Sequence, residues 1–341
     1  VDRPDLDDVL NGARFFTVPL RMRFRGVDAR EGVLIRGPLG WGEFAPFPEY
    51  PDDEAACWLA GAVEAAWWGW PAALRHEVGV NATVPAVEPA RVAEVLARFP
   101  GCRTVKVKVG EPGQSPADDL ARLRQVREVA GADARLRVDA NGAWTADQAH
   151  RALAAFADVG LDYAEQPCAT VADLLLLRES LRAAGIGVRL AADESIRRAG
   201  DPLAVARTGA IDVAVVKVAP LGGVRATLAV ADALAALDVS VVVSSALDTS
   251  VGITAGLAAA AALPTAPPDC GLGTVGLLAA DLVTEPLVPH RGRLPVRTVL
   301  PDESLLQRFS MDAQRRRWWT ARLARCWRPA LARLGVKGGT Q

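Results

Sequence analysis

The sequence predicts an α/β protein: a (β/α) barrel of the TIM type, with a separate, smaller α+β unit. Three observations carry this. From about residue 80, short apolar runs alternate with helix-length amphipathic stretches. Five successive runs end in a charged residue at intervals close to one strand–helix unit. The opening segment and the stretch after residue 276 lack that rhythm.

The opening segment, residues 1–78, is assigned to the α+β unit. Residues 14–50 are β-rich: Phe15-Phe16-Thr17-Val18 and Gly32-Val33-Leu34-Ile35 have strand composition, and Gly37-Pro38-Leu39-Gly40 is a turn. Residues 53–76 are Ala-rich and predicted helical. They carry a tryptophan cluster, Trp58, Trp67, Trp68 and Trp70, of which Trp67, Trp68 and Trp70 are assigned to core rather than to a ligand platform, because large aromatics carry much buried area.

The barrel is assigned to residues 79–276. Its runs are 79–84, 104–109, 135–140, 161–164, 188–192, 211–218 and 239–243, with helical spacing in stretches such as 117–129 and 145–159. Alternation sustained this long implies a parallel sheet. Seven visible runs favour closure into eight strands, the eighth expected near 269–273. No dinucleotide fingerprint or P-loop is present, which argues against an open nucleotide-binding sheet. Residues 277–300 are expected to return to the α+β unit as strands at 287–288 and 293–299. The tail 301–341, with Arg315-Arg316-Arg317-Trp318-Trp319, is expected to be an amphipathic helix with a solvated arginine face; contact with RNA or a membrane is the alternative.

Bulk properties narrow the function. Half of the 341 residues are hydrophobic, ample for a barrel plus a smaller domain. A net charge of −1 offers no global attraction to nucleic acid or an acidic membrane. The first residues show no charged-then-apolar leader, and no uncharged apolar run reaches the roughly 18–20 residues of a membrane span. A soluble, cytoplasmic protein is expected, and the oligomeric state is left open. The five cysteines are scattered without a CxxC, and the three histidines match no zinc spacing.

The chemistry lies at the strand ends, where barrel active sites are built. Lys108, Asp139, Glu165, Asp193 and Lys217 end the second to sixth runs, with spacings of 31, 26, 28 and 24 residues. In Thr104-Val105-Lys106-Val107-Lys108-Val109, alternation puts both lysines on one face, pointing inward if the valines meet the helices. Two interior lysines should repel and depress the pKa of at least one, making a free amine available as a base. Asp139-Ala140-Asn141-Gly142 also has the composition of an Asx turn. Asp193 could equally cap a helix. Three carboxylates on adjacent strands repel unless a cation neutralises them, and hard oxygen ligands suit Mg²⁺.

Together, Lys106-Val107-Lys108, Asp139-Ala140-Asn141-Gly142, Glu165-Gln166-Pro167, Asp193-Glu194-Ser195 and Lys217 followed by Gly222-Gly223 resemble the enolase superfamily, in its muconate-lactonizing-enzyme-like subgroup. The resemblance covers about residues 14–300. Gly40-Trp41-Gly42-Glu43-Phe44-Ala45-Pro46 and Ser244-Ser245-Ala246-Leu247-Asp248-Thr249-Ser250 are most similar to the o-succinylbenzoate synthases of the actinobacterial type. The chain reads Ala246-Leu247-Asp248 where many relatives carry a Glu.

The resemblance implies that the α+β unit is a capping domain closing over the mouth of a modified barrel, with its loops near 21–30 and 44–53 contacting substrate and excluding water. It implies magnesium-dependent dehydration of a small carboxylate, 2-succinyl-6-hydroxy-2,4-cyclohexadiene-1-carboxylate, to o-succinylbenzoate in menaquinone biosynthesis. Asp139, Glu165 and Asp193 would hold Mg²⁺. Lys108 would be the base, Lys106 would tune it, and Lys217 would be the opposing cation. Asn141, Ser244 and Ser245 would contact substrate. Alternatives on the same site are an N-succinylamino-acid racemase, a dipeptide epimerase or a cycloisomerase. From a different class, the barrel could be a silent scaffold or a nucleic-acid partner acting through its tail.

Overall fold

The computed structural model describes residues 3–24, 26–198 and 200–335. Residue 25, in the 21–30 stretch expected to be a loop but formed mostly by two strands, and residues 336–341 of the tail lie outside the described residues. Twelve strands are described: β1 Ala13–Phe24, β2 Val27–Gly37, β3 Gly40–Phe44, β4 Glu77–Gly79, β5 Ala82–Val84, β6 Thr104–Lys108, β7 Arg135–Asp139, β8 Leu161–Glu165, β9 Arg189–Ala192, β10 Val213–Lys217, β11 Ser240–Ser244 and β12 Arg293–Pro295.

β5 to β11 form one seven-stranded parallel sheet in sequence order. Its strands are buried on both faces, as expected when crossover helices cover the outside. Side chains of Tyr163, Ala191, Val213, Val215 and Val242 form a separate apolar cluster inside the curl, alternating with residues that face the helices. The predicted eighth strand is too short to be a regular one. Residues 270 and 271 nevertheless close the ring: Cys270 N donates to Gly79 O and Gly271 N to Val243 O, both at 2.8 Å.

The first predicted run divides. β4 leaves the barrel to pair with β12, and only β5 joins the sheet. The stretch at 287–288 is not a strand, because Pro286 and Pro289 flank it and lack donors. Contact between this returning segment and β1 is made instead by Leu278 and by Ala279 N, which donates to Pro19 O.

The cap is built on the antiparallel sheet β1-β2-β3. The predicted 53–76 helix is shorter than expected. It runs over Asp52–Val63, widens to a π-turn at Glu64–Trp68 and stops where Gly69 takes φ +60, two residues before Pro71. Trp58 and Trp67 are buried, and Trp68 and Trp70 half-buried.

The C-terminal helix Ala313–Arg333 packs along Asp52–Val63. It buries Trp319, Arg322, Leu323, Cys326, Trp327, Ala330 and Leu331, a stripe at alternating steps of three and one. Its arginines do more than face solvent: Arg315 pairs with Glu31 and Arg325 with Asp52. All five cysteines are free thiols, and no helix among the described residues is long and apolar enough to cross a membrane.

Candidate active site

Parallel register delivers the charges to one level. Lys108 on β6 is opposite Asp139 on β7, and Asp139 is opposite Glu165 on β8. Asp193 follows β9, and Lys217 ends β10 opposite Ser244. With residues 270–271 as the eighth member, β6 and β10 stand four places apart, on opposite walls.

Each ammonium meets a carboxylate. Lys108 Nζ donates to Asp139 Oδ2 at 2.5 Å and Asn141 Oδ1 at 2.7 Å. Lys106 Nζ donates to both Glu165 oxygens at 3.0 and 3.1 Å and lies 3.3 Å from Asp139 Oδ2. Lys217 Nζ donates to Asp193 Oδ2 at 2.5 Å, and Arg197 Nε donates to Asp193 Oδ1 at 3.0 Å. The structure thus brings Lys106, Lys108, Asp139, Asn141 and Glu165 into one network, with Asp193 and Lys217 forming a second pair. Ser244 and Ser245 line the same pocket; their hydroxyls engage Gly271 O and Thr274 Oγ1.

The pocket is small, with a cavity volume of about 30 Å³. Thr83, Thr274 and Leu247 contribute from the barrel and Phe24 from the cap. The Phe24 ring lies 5.4 Å from Lys108 Nζ, a cation–π approach that carries the cap to the proposed reacting amine.

The electrostatics depart from one expectation. Burial disfavours the Lys106 ammonium, but Glu165 and Asp139 outweigh it and hold that lysine above its usual range. Attraction by interior carboxylates therefore exceeds repulsion between lysines at Lys106. Burial likewise opposes charge on Asp139 and Asp193. Lys108 and Lys106 pull the first below the usual carboxylate range, and Lys217 and Arg197 the second. Glu165 is pushed up to about 7, by burial and then by Asp139.

Among the described residues, no three His, Cys, Asp or Glu side chains converge as a ready metal cage. The three carboxylates are turned onto lysine and arginine instead. Their chemistry nonetheless fits a hard divalent cation: all three are buried, and Glu165 feels repulsion from both aspartates.

Arg197 and Gln166 received no role from the sequence. Gln166 takes φ +38, accepts from Asp193 N and Ser195 N, and donates to Cys168 O, fixing the loop that carries Asp193. Its place beside Glu165 was the available signal. For Arg197 the signal was its spacing of four residues from Asp193 at a helix start.

The family profile described as enolase C-terminal domain-like matches residues 89–301, and that described as enolase N-terminal domain-like matches 15–66. The o-succinylbenzoate synthase of Mycolicibacterium smegmatis is 55% identical over 324 residues, covering 95% of this chain and 97% of that protein. The o-succinylbenzoate synthase of Mycobacterium tuberculosis is 53% identical over 325 residues, covering 95% and 96%. The chain belongs to the o-succinylbenzoate synthase family of the enolase superfamily. Its fold matches muconate lactonizing enzyme from Pseudomonas fluorescens complexed with muconolactone, with TM-score 0.74, 24% identity and coverage of 88% of this chain and 98% of that one. It also matches the L-Ala-D/L-Glu epimerase of Bacillus subtilis, with TM-score 0.71, 22% identity and coverage of 85% and 96%. At such identities the structural matches show the fold alone.

Proposed function

We infer that this enzyme dehydrates 2-succinyl-6-hydroxy-2,4-cyclohexadiene-1-carboxylate to o-succinylbenzoate in menaquinone biosynthesis. The observation that carries the reading is identity of 52–55% to curated o-succinylbenzoate synthases across nearly the whole chain. Buried lysines on opposite walls of one pocket support it. The reading places the chemistry in residues 79–276, with 1–78 and 277–300 as the cap and 301–341 as its helical support. A cytoplasmic location fits a soluble biosynthetic enzyme.

The reaction removes a proton α to a carboxylate and expels the neighbouring hydroxyl as water, leaving an aromatic ring. Lys108 Nζ, as the free amine, takes the proton from the ring carbon that bears the carboxylate. The electron pair left on that carbon forms the new double bond as the ring C–O bond breaks. The same ammonium returns its proton to the departing oxygen, so both transfers occur on one face of the ring. Asn141 Oδ1 orients Lys108 Nζ, and Lys106 supplies positive charge beside it. Lys217, on the far wall, stabilises negative charge developing on the carboxylate side of the ring. Ser244 and Ser245 face the bound ring from the wall next to Lys217.

Asp139, Glu165 and Asp193 would hold Mg²⁺, which when bound supplies Lewis-acid stabilisation of the substrate carboxylate's developing charge. A lysine base combined with magnesium is the established pattern of enolase-superfamily sites. The test is to follow aromatic product in the ultraviolet with Mg²⁺ and with EDTA. Rapid magnesium-dependent aromatisation is expected; absence of product at saturating Mg²⁺ would contradict the reading.

The opposed lysines favour one further reading, racemisation of N-succinylamino acids or epimerisation of dipeptides, with Lys217 as a second acid/base. Solvent deuterium entering such a substrate at its α-carbon, faster than aromatisation proceeds, would identify it.

A further inference from the structure

The C-terminal helix lies beyond both matched stretches, 15–66 and 89–301, yet it holds a loop of the cap directly over the barrel rim. Arg322 is only 1% exposed. Its guanidinium donates to three consecutive-turn carbonyls, through Nη1 to Phe47 O at 3.2 Å and Pro48 O at 3.3 Å, and through Nη2 to Tyr50 O. Nothing in a helix–helix packing role requires an arginine to gather these acceptors. A fork of donors does fix the turn that aims Tyr50.

Tyr50 packs in the cap core and reaches the barrel rim with its hydroxyl. Its ring is wedged edge-on against Phe47 and Trp58, at centroid distances of 5.5 and 6.3 Å. Its hydroxyl accepts from Arg197 Nη1 at 2.9 Å. Arg197 spends its other nitrogens on the rim: Nε on Asp193 Oδ1 at 3.0 Å and Nη2 on Glu194 Oε1 at 2.6 Å. Every bond in this path is buried or half-buried, so each is shielded from competing water.

We propose that Arg322, Tyr50 and Arg197 form a positioning relay: the C-terminal helix, acting through the 47–50 loop and the Tyr50 hydroxyl, sets the orientation of the Asp193 carboxylate. This rests on the reading of Asp193 as a metal ligand. Partners that orient a ligating carboxylate commonly govern metal affinity by 10–100-fold. Tyr50→Phe removes one hydroxyl and keeps the ring packing. Arg322→Lys keeps a buried cation and loses the fork.

The test has two readouts on Tyr50→Phe, Arg322→Lys and the double variant. In EDTA, amide hydrogen exchange at residues 194–198 should quicken in both single variants; exchange at the wild-type rate in both would overturn the relay. With Mg²⁺ titrated against melting temperature, the half-saturating concentration should rise about 10–100-fold in each single variant. The double variant should be no worse than the weaker single one, because both lie on one path. Multiplying penalties in the double variant, or a Tyr50→Phe half-saturation within about twofold of wild type, would also overturn it. A wild type whose melting ignores Mg²⁺ would sink the metal reading, while the exchange experiment would still decide the relay. If Arg322→Lys fails to fold, Tyr50→Phe decides alone.

Discussion

Glu43 offers a test of how the cap is locked onto the barrel. It ends next to Phe44 on β3 and reaches the loop after β11, where it accepts from Thr249 Oγ1, Thr249 N at 3.3 Å and Gly252 N at 3.0 Å. Asp248 is its buried neighbour. The two flank Gly252 so closely that an added Cβ would meet Asp248 Cβ at 2.7 Å and Glu43 Oε2 at 2.9 Å. Burial, and then the charge of Asp248, push Glu43 up to about 8. A carboxyl with a raised folded pKa contributes stability that is complete below its unfolded pKa and is lost as pH rises through the folded one. From an ordinary value of about 4.3 to about 8, at ~1.36 kcal/mol per unit, the loss reaches at most about 5 kcal/mol.

The window is therefore about pH 4.5 to about 8. Glu43→Gln keeps an acceptor for Thr249 and Gly252 and cannot ionise. Urea unfolding at intervals across that window should show wild-type stability falling with pH and the variant falling much less. Glu165, raised to about 7, slopes the same way in both proteins, so the difference between them isolates the Glu43 site. Parallel stability curves for the two proteins would refute the buried protonated carboxyl.

Three further outcomes are expected. Trp319→Ala, which empties a fully buried site between the C-terminal helix and Phe44, should cost about 3–5 kcal/mol in urea unfolding; a loss under about 1 kcal/mol would show that the helix is not part of the cap core. Lys217→Met removes the cation beside buried Asp193 and should destabilise the metal-free protein by about 3–5 kcal/mol; equal melting curves in EDTA would contradict the pairing. Mg²⁺ at millimolar concentration should raise the melting temperature of wild type, because a ligand that binds only the folded state stabilises it; no shift would count against the carboxylate site.

Much of the barrel was legible because its strands are parallel and in register. Lys108, Asp139 and Glu165 recur at one strand–helix interval and stand opposite one another on neighbouring strands. A periodic sequence signal becomes a spatial one only under that condition. The eighth member was harder to read. Its contribution is two residues, Cys270 and Gly271, held by backbone bonds that leave no side-chain pattern.

What was not legible depends on partners distant in sequence. The Lys106 ammonium answers to Glu165, 59 residues away, so reasoning from its own strand overweighted repulsion by Lys108. The stripe on Ala313–Arg333 is visible as periodicity, but its partner, Asp52–Val63, is more than two hundred residues upstream. Arg322 sits on the apolar stripe of that helix, where its sequence context suggested solvent and its carbonyl acceptors lie in the 47–50 loop. The overlong 53–76 helix is a local matter. Alanine composition favoured continuation, and the left-handed Gly69 ahead of Pro71 ended it.

The proposed reaction turns on Lys108 as the base. The most direct measurement compares wild type with Lys108→Ala at saturating Mg²⁺ and substrate, by aromatic product in the ultraviolet, after folding and magnesium-dependent melting of the variant are verified. Turnover should fall by about 10²–10⁴-fold or more while the fold and the magnesium response persist. A folded, magnesium-responsive Lys108→Ala enzyme turning over near the wild-type rate would contradict it.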